Sequence, residues 1–317
     1  MKFRSVPALV RMGTLLMDQW GHDALPLWRK VLALEPENAD ARHAMVQIYL
    51  ERVTNPAEYE VHYHSRLTPA KKIALLEKGL SELPNAPELL LALGIGYLED
   101  NKQGKARRNL ELAAHYAAGK LAILDGVLHE LLHVNGDDTV RELIPQVRAI
   151  PGLRPHFWLD QANRVFACEL GEQRAASFLD EAVAMSAKLR GEDSPATMLL
   201  SAFDICYGHE AEQLASQYEQ VLRSQWATSG ALEYIDALHA VDPNSRKNSR
   251  ALKLLDRAIE QAGKAGEPGI ADMARELMGY IKRPPMPDPF DMDINRLMDI
   301  FANMDKEDFD AAFRRRL

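Results

Sequence analysis

Residues 85–117, reading NAPELLLALGIGYLEDNKQGKARRNLELAAHYA, constrain the fold more than any other stretch of this 317-residue chain. Leu90, Leu93, Gly94 and Tyr97 recur at helical spacing on one face, then Ala106, Leu110 and Ala113 on another, with the polar turn Asp100-Asn101-Lys102-Gln103-Gly104 between them. Two amphipathic helices joined by so short a turn must lie antiparallel, so the stretch predicts a helical hairpin.

The rest of the chain agrees with helix. Aromatics make up only 7% and there are no β-branched runs of the kind that form buried strands, which predicts an all-α protein. A net charge of −8 argues against a nucleic-acid partner, since phosphate contact needs a basic stripe. The basic run Arg314-Arg315-Arg316 ends a helical pattern, where it suits the negative end of the helix dipole. Two cysteines are too few for a disulfide framework and predict a reducing, cytoplasmic setting. Behind Lys2 and Arg4 the apolar run is interrupted by Arg11 and Gly13, so neither a signal peptide nor a membrane span is expected.

The order of large apolar residues and small spacers in 85–117 resembles a tetratricopeptide repeat (TPR) unit. Ala24, Trp28 and Pro36 match the second half of such a unit: Ala24 leaves room for a partner helix, Trp28 fills the space between hairpins and Pro36 cannot continue the helix. Asn38 can cap the next helix, which Arg42, Met45, Val46 and Tyr49 open. The resemblance implies a right-handed α-solenoid of about seven TPR-like hairpins over 1–282, closed by a C-terminal capping helix over 267–282.

Spacing locates an interruption. Pro36 and Pro84, Met45 and Leu93, and Tyr49 and Tyr97 are each 48 residues apart. Against a period of about 34 this leaves about 14 inserted residues, placed at 54–67, ahead of the N-cap and first-turn pair Thr68-Pro69. Tyr59, His62, Tyr63 and His64 give the insertion an aromatic character suited to contact. Downstream, Leu90, Tyr97, Leu110 and Ala113 map at a shift of 34 onto Leu124, Leu131, Ile144 and Val147. A further 35 reaches Leu159, Phe166, Leu179 and Ala182, and another 39 reaches Met198, Ile205, Tyr218 and Val221. A last hairpin has a degenerate first helix over 228–240 and a second through Ala251, Leu255 and Ala258. A Pro-rich linker, 283–290, then leads to an amphipathic tail, 291–317, with Leu297, Met298, Phe301, Phe309 and Phe313 as contact candidates. Three placements for the tail stay open: on its own solenoid, on a second copy as a homo-oligomer, or in a partner groove.

One segment points to metal chemistry. His129-Glu130-Leu131-Leu132-His133 places two imidazoles four apart on one helical face with a Glu between them, the zinc-protease arrangement. Gly136 also fits one longer version of that motif, but the third His is Thr139 here. Leu124, Leu128 and Leu131 place the segment in the repeat register, so no metal and no cofactor is expected, and His129 and His133 belong on a stripe beside the packing face. Asp291, Asp293 and Asn295 start like a calcium loop that Arg296 and Ala302 then break. Cys168 and Cys206 read as small buried hydrophobes on first helices.

In TPR proteins the first helices line a concave groove. The resemblance puts His43, Gln47, Leu91, Ile95, Asp125, His129, Asp160, Arg164, Leu199 and Phe203 in it, with no catalytic residue. Asp125 and Asp160 stand where a carboxylate clamp would need cations, so acidic chaperone tails are expected not to bind. The expected function is protein–protein interaction, as an adaptor or scaffold holding a partner peptide or helix. Against it stand a zinc hydrolase built on the HELLH segment, a non-catalytic subunit of an enzyme complex, and self-assembly through the tail. Metal content, co-purification and light scattering of a truncated chain separate them.

Overall fold

The computed structural model describes residues 5–20, 24–54, 67–117, 119–242 and 248–283. Among them are fifteen α-helices and no strand. In chain order these are α1 (Val6–Trp20), α2 (Leu25–Leu34), α3 (Ala39–Thr54), α4 (Pro69–Glu82), α5 (Pro87–Glu99), α6 (Gln103–Tyr116), α7 (Leu121–His133) and α8 (Asp137–Arg148). They continue as α9 (His156–Ala167), α10 (Glu172–Ser186), α11 (Pro195–Gly208), α12 (Glu212–Gln225), α13 (Ala231–Ala240), α14 (Ser249–Ala265) and α15 (Pro268–Lys282). No helix is long and apolar enough to cross a membrane. The chain divides into two compact units, Met1–Glu219 and Gln220–Leu317.

The first unit is an α-solenoid of helical hairpins. Each of α1, α3, α5, α7 and α9 packs on the helix that follows it, and α3, α5, α7, α9 and α11 form a row in which each touches the next. Small residues set the spacing. A Cβ on Gly13 would stand 2.6 Å from the Trp28 ring, so α1 leaves a notch that Trp28 fills. A Cβ on Gly94 would stand 2.8 Å from Leu110, which is fully buried between α5 and α6. Gly96, also on α5, has ordinary room beside Ile73. Most residues that carry the repeat register fill the interior: Met45, Tyr49, Leu93, Tyr97, Leu124, Leu131, Leu159, Leu179 and Met198 are buried, whereas Phe166, Ile205 and Val221 are only half-buried. Burial of this apolar surface drives the stacking.

Four first helices stop in the same way. Asn101, Asn135, Glu169 and Glu210 each adopt a left-handed backbone, with φ of 55°, 54°, 54° and 58°. The residue after each donates its N–H back to the carbonyl three positions before the cap: Lys102 to Tyr97, Gly136 to Leu131, Leu170 to Val165 and Ala211 to Cys206, at 2.8–3.0 Å. This is the Schellman motif, which satisfies carbonyls the helix end would otherwise orphan. N-termini are capped more variably. Thr68 accepts from the Lys71 N–H, Ser194 from Thr197 and Asn38 from Ala41.

Ion pairs lace the hairpins on their outer helices. Arg29 of α2 donates to Glu82 of α4 and to the Tyr49 hydroxyl. Arg148 of α8 pairs with Glu181 of α10, and Arg174 of α10 forks onto Asp137 of α8 at 2.6 and 2.7 Å. Its guanidinium holds the Asp137 carboxyl below the usual carboxylate range.

In the second unit, α14 packs between α13 and α15. Gly230, at φ 89°, lets the start of α13 meet α14 so closely that a Cβ would stand 2.5 Å from the Ala258 carbonyl. Ala251, Leu255, Ala258 and Ala262 form the buried face of α14, and Ile270, Ala271 and Ala274 that of α15. The insertion residues Tyr59, His62, Tyr63 and His64, the linker beyond Arg283, and the tail residues Leu297, Met298, Phe301, Phe309 and Phe313 lie outside the described residues.

Candidate interaction ribbon and histidine–cysteine cluster

The residues expected in the groove lie on the row of first helices, at differing depths. On α3, His43 is exposed and Gln47 half-buried, and on α5 both Leu91 and Ile95 are half-buried. Leu91 reaches across to α7, where a Cβ on Gly126 would come within 2.9 Å of its side chain. Asp125 and His129 are half-buried on α7, while Asp160 and Arg164 are exposed on α9. Leu199 and Phe203 of α11 are 5% and 1% exposed and offer no surface to a partner in this structure.

Beside His43 lies a cleft of about 380 Å³. Arg42, Val46, Pro87, Glu88 and Lys120 help to line it, and the Lys120 ammonium pairs with Glu88 at 2.8 Å. The cleft sits where α3 and α5 begin, and a mixed set of charges surrounds it.

Two bridges join α7 to α9. In the first, Asp125 accepts from the Gln161 amide and from Arg164, the latter at 2.9 Å. Gln161 is 1% exposed, and its amide finds its acceptor in that carboxylate. In the second, the Nε2 atoms of His129 and His133 stand 3.4 Å apart, their rings edge to face, and Cys168 joins them. One ligand atom from each of the three lies within 4.8 Å of the others. Burial depresses the His129 pKa, helped by His133 and Arg164 and opposed by Asp125. Its Nδ1 is buried with no hydrogen-bond partner. Glu130 is half-buried, its carboxyl pushed up by burial, and it is not among the clustered donors.

Cys168 corrects an expectation. It is exposed, at the residue that caps the end of α9, and not a small buried hydrophobe on a first helix. Cys206 is buried on α11, its thiol pushed up to about 12 by burial. The structure corrects the offset read from the apolar residues: the caps of α7 and α9, Val134 and Cys168, are 34 residues apart and not 35. The turn that follows each first helix therefore sets Cys168 beside the end of the preceding one.

No protein-family model matches the chain, and no curated protein matches it in sequence. Among solved structures, it is similar to pilF of Pseudomonas aeruginosa at 16% identity, over 74% of this chain and 97% of that one, with a TM-score of 0.35. So loose a likeness carries no inference about function.

Proposed function

We propose that this chain is a TPR-like interaction module, an adaptor or assembly scaffold that holds a partner peptide or helix along the ribbon of first helices. One observation carries the reading: α3, α5, α7 and α9 touch in succession, and the residues they align are part-exposed and mixed in character, with Leu91 and Ile95 between His43, Gln47 and the charged groups of α7 and α9. An apolar patch with a polar rim suits an amphipathic segment. The cleft beside His43 would take one anchoring side chain. The module acts without catalysis, in the cytoplasm, and its solenoid ends at Lys282, followed by the linker 283–290 and a tethered tail over 291–317.

Pull-down from a native lysate with the full chain, followed by mass spectrometry, should identify a partner. Leu91→Asp and Ile95→Asp should each weaken that partner's binding about tenfold or more with the helical circular dichroism unchanged. Unaltered affinity in both folded variants would move the interface off the ribbon. Light scattering of the full chain against a truncation after Lys282 tests self-association through the tail, and an unchanged mass would assign the tail another role.

A further inference from the structure

The geometry points to a metal site: we propose that His129, His133 and Cys168 bind one borderline-soft divalent ion of the zinc class at the seam between α7 and α9. The proposal is independent of partner binding.

The donor set fits such an ion. Imidazole nitrogen and thiolate sulfur are ligands that zinc prefers, whereas magnesium and calcium take oxygen. Spacing fits as well. Tetrahedral zinc with Zn–N bonds of about 2.0–2.1 Å separates two nitrogen ligands by about 3.3–3.4 Å, and the two Nε2 atoms stand 3.4 Å apart. A nitrogen–sulfur edge of the same site spans about 3.5 Å, against a largest separation of 4.8 Å among the three donors. That difference of about 1 Å falls to the Cys168 side chain, which is exposed.

Without an ion the cluster is poorly satisfied. Only one of the two facing Nε2 atoms can carry a proton toward the other, so a single hydrogen bond joins the rings. The buried Nδ1 of His129 is unpartnered in either tautomer. No contact behind that ring therefore fixes its tautomer, and Nε2 can turn its lone pair inward once Nδ1 takes the proton. The nearby charge of Arg164 is offset by its bond to Asp125. On binding, Zn²⁺ displaces the thiol proton to solvent and forms a Zn–S bond, with both imidazoles coordinating through Nε2. Three protein donors leave the fourth position to water.

The test uses the untagged, reduced full-length chain stripped with a chelator. Titration with Co²⁺ should saturate at one ion per chain and give a near-ultraviolet sulfur-to-cobalt charge-transfer band, which one equivalent of Zn²⁺ bleaches. Cys168→Ser should abolish the band and weaken binding at least about tenfold. His133→Gln should weaken it similarly, each variant keeping the wild-type circular dichroism. In parallel, Zn²⁺ should slow alkylation of Cys168 while the buried Cys206 serves as the internal reference. Sub-stoichiometric Co²⁺ uptake, a spectrum unaltered by Cys168→Ser, or unprotected Cys168 at saturating Zn²⁺ would each overturn the proposal.

Discussion

The two bridges between α7 and α9 begin from the same helical register and end in different states. At Asp125, one carboxylate receives an amide and a guanidinium, so charge and hydrogen bonds close within the protein. About one helical turn further along, His129, His133 and Cys168 converge without an acceptor that could satisfy all three. The first bridge is satisfied within the protein. The second is joined by a single imidazole–imidazole hydrogen bond and leaves the buried Nδ1 of His129 unpartnered. Position in the repeat fixes which helices meet, and the chemistry of a few side chains decides whether the meeting place is structural or receptive.

That contrast can be attacked from both sides. The largest expected effect is from metal: Zn²⁺ at about one hundred times its Kd should stabilise the stripped protein by about 2.7 kcal/mol, seen as a rise in thermal midpoint that Cys168→Ser removes. No shift in the wild type would leave the two bridges alike. Next comes Asp125→Ala, which strands the buried Gln161 amide and Arg164, at a cost of about 1–3 kcal/mol in urea unfolding. Asp125→Asn keeps an acceptor and should cost less than Asp125→Ala. If the two variants were equal, the charge and not the hydrogen bonds would be closing that bridge.

A smaller effect of opposite sign is expected at the other bridge. In metal-free protein, His129→Leu removes a buried unpartnered nitrogen and should be neutral or stabilising, by up to about 1 kcal/mol. A loss beyond about 2 kcal/mol would show that the imidazole pair is itself a structural bond. The smallest effect is with pH. The folded His129 pKa lies below its ordinary 6.5, so the unfolded chain takes up the proton first as pH falls. This contribution is complete above about pH 6.5 and declines below it. Urea unfolding at about pH 7.5 and about pH 5.5 should show wild type losing more stability than His129→Leu, and equal losses would mean that the imidazole is solvated in the fold.

Much of the fold was legible because its signals are local. Pro36, Asn38, Thr68 and Pro69 mark helix ends through their own backbone chemistry, and the register of Leu90 and Tyr97 repeats in the buried Leu124, Leu131, Leu159 and Met198, though it fades at the half-buried Phe166 and Ile205. The sites were less legible. Leu199 sits at a ribbon position by offset, yet α11 is apolar on more than one side, with Met198, Leu199, Leu200 and Phe203 all buried, so register alone could not say which faces were covered. Gln161 was missed because a buried amide gives no periodic signal and is understood only with its partner, Asp125, 36 residues away. Cys168 was assigned to the interior by residue type, when its place at the end of α9 put it at the surface.

The shared ending of α5, α7, α9 and α11 bears on how the chain reaches this structure. Each turn closes its own carbonyls with bonds spanning only a few residues, so a hairpin can form before its neighbours exist. Pairings between adjacent helices keep sequence separations short, which favours rapid folding. A chain emerging from the ribosome can therefore lay down the first unit one hairpin at a time, each completed pair presenting an apolar face on which the next condenses. The bridges of the α7–α9 seam form later in that order, when the second of two already folded hairpins settles against the first.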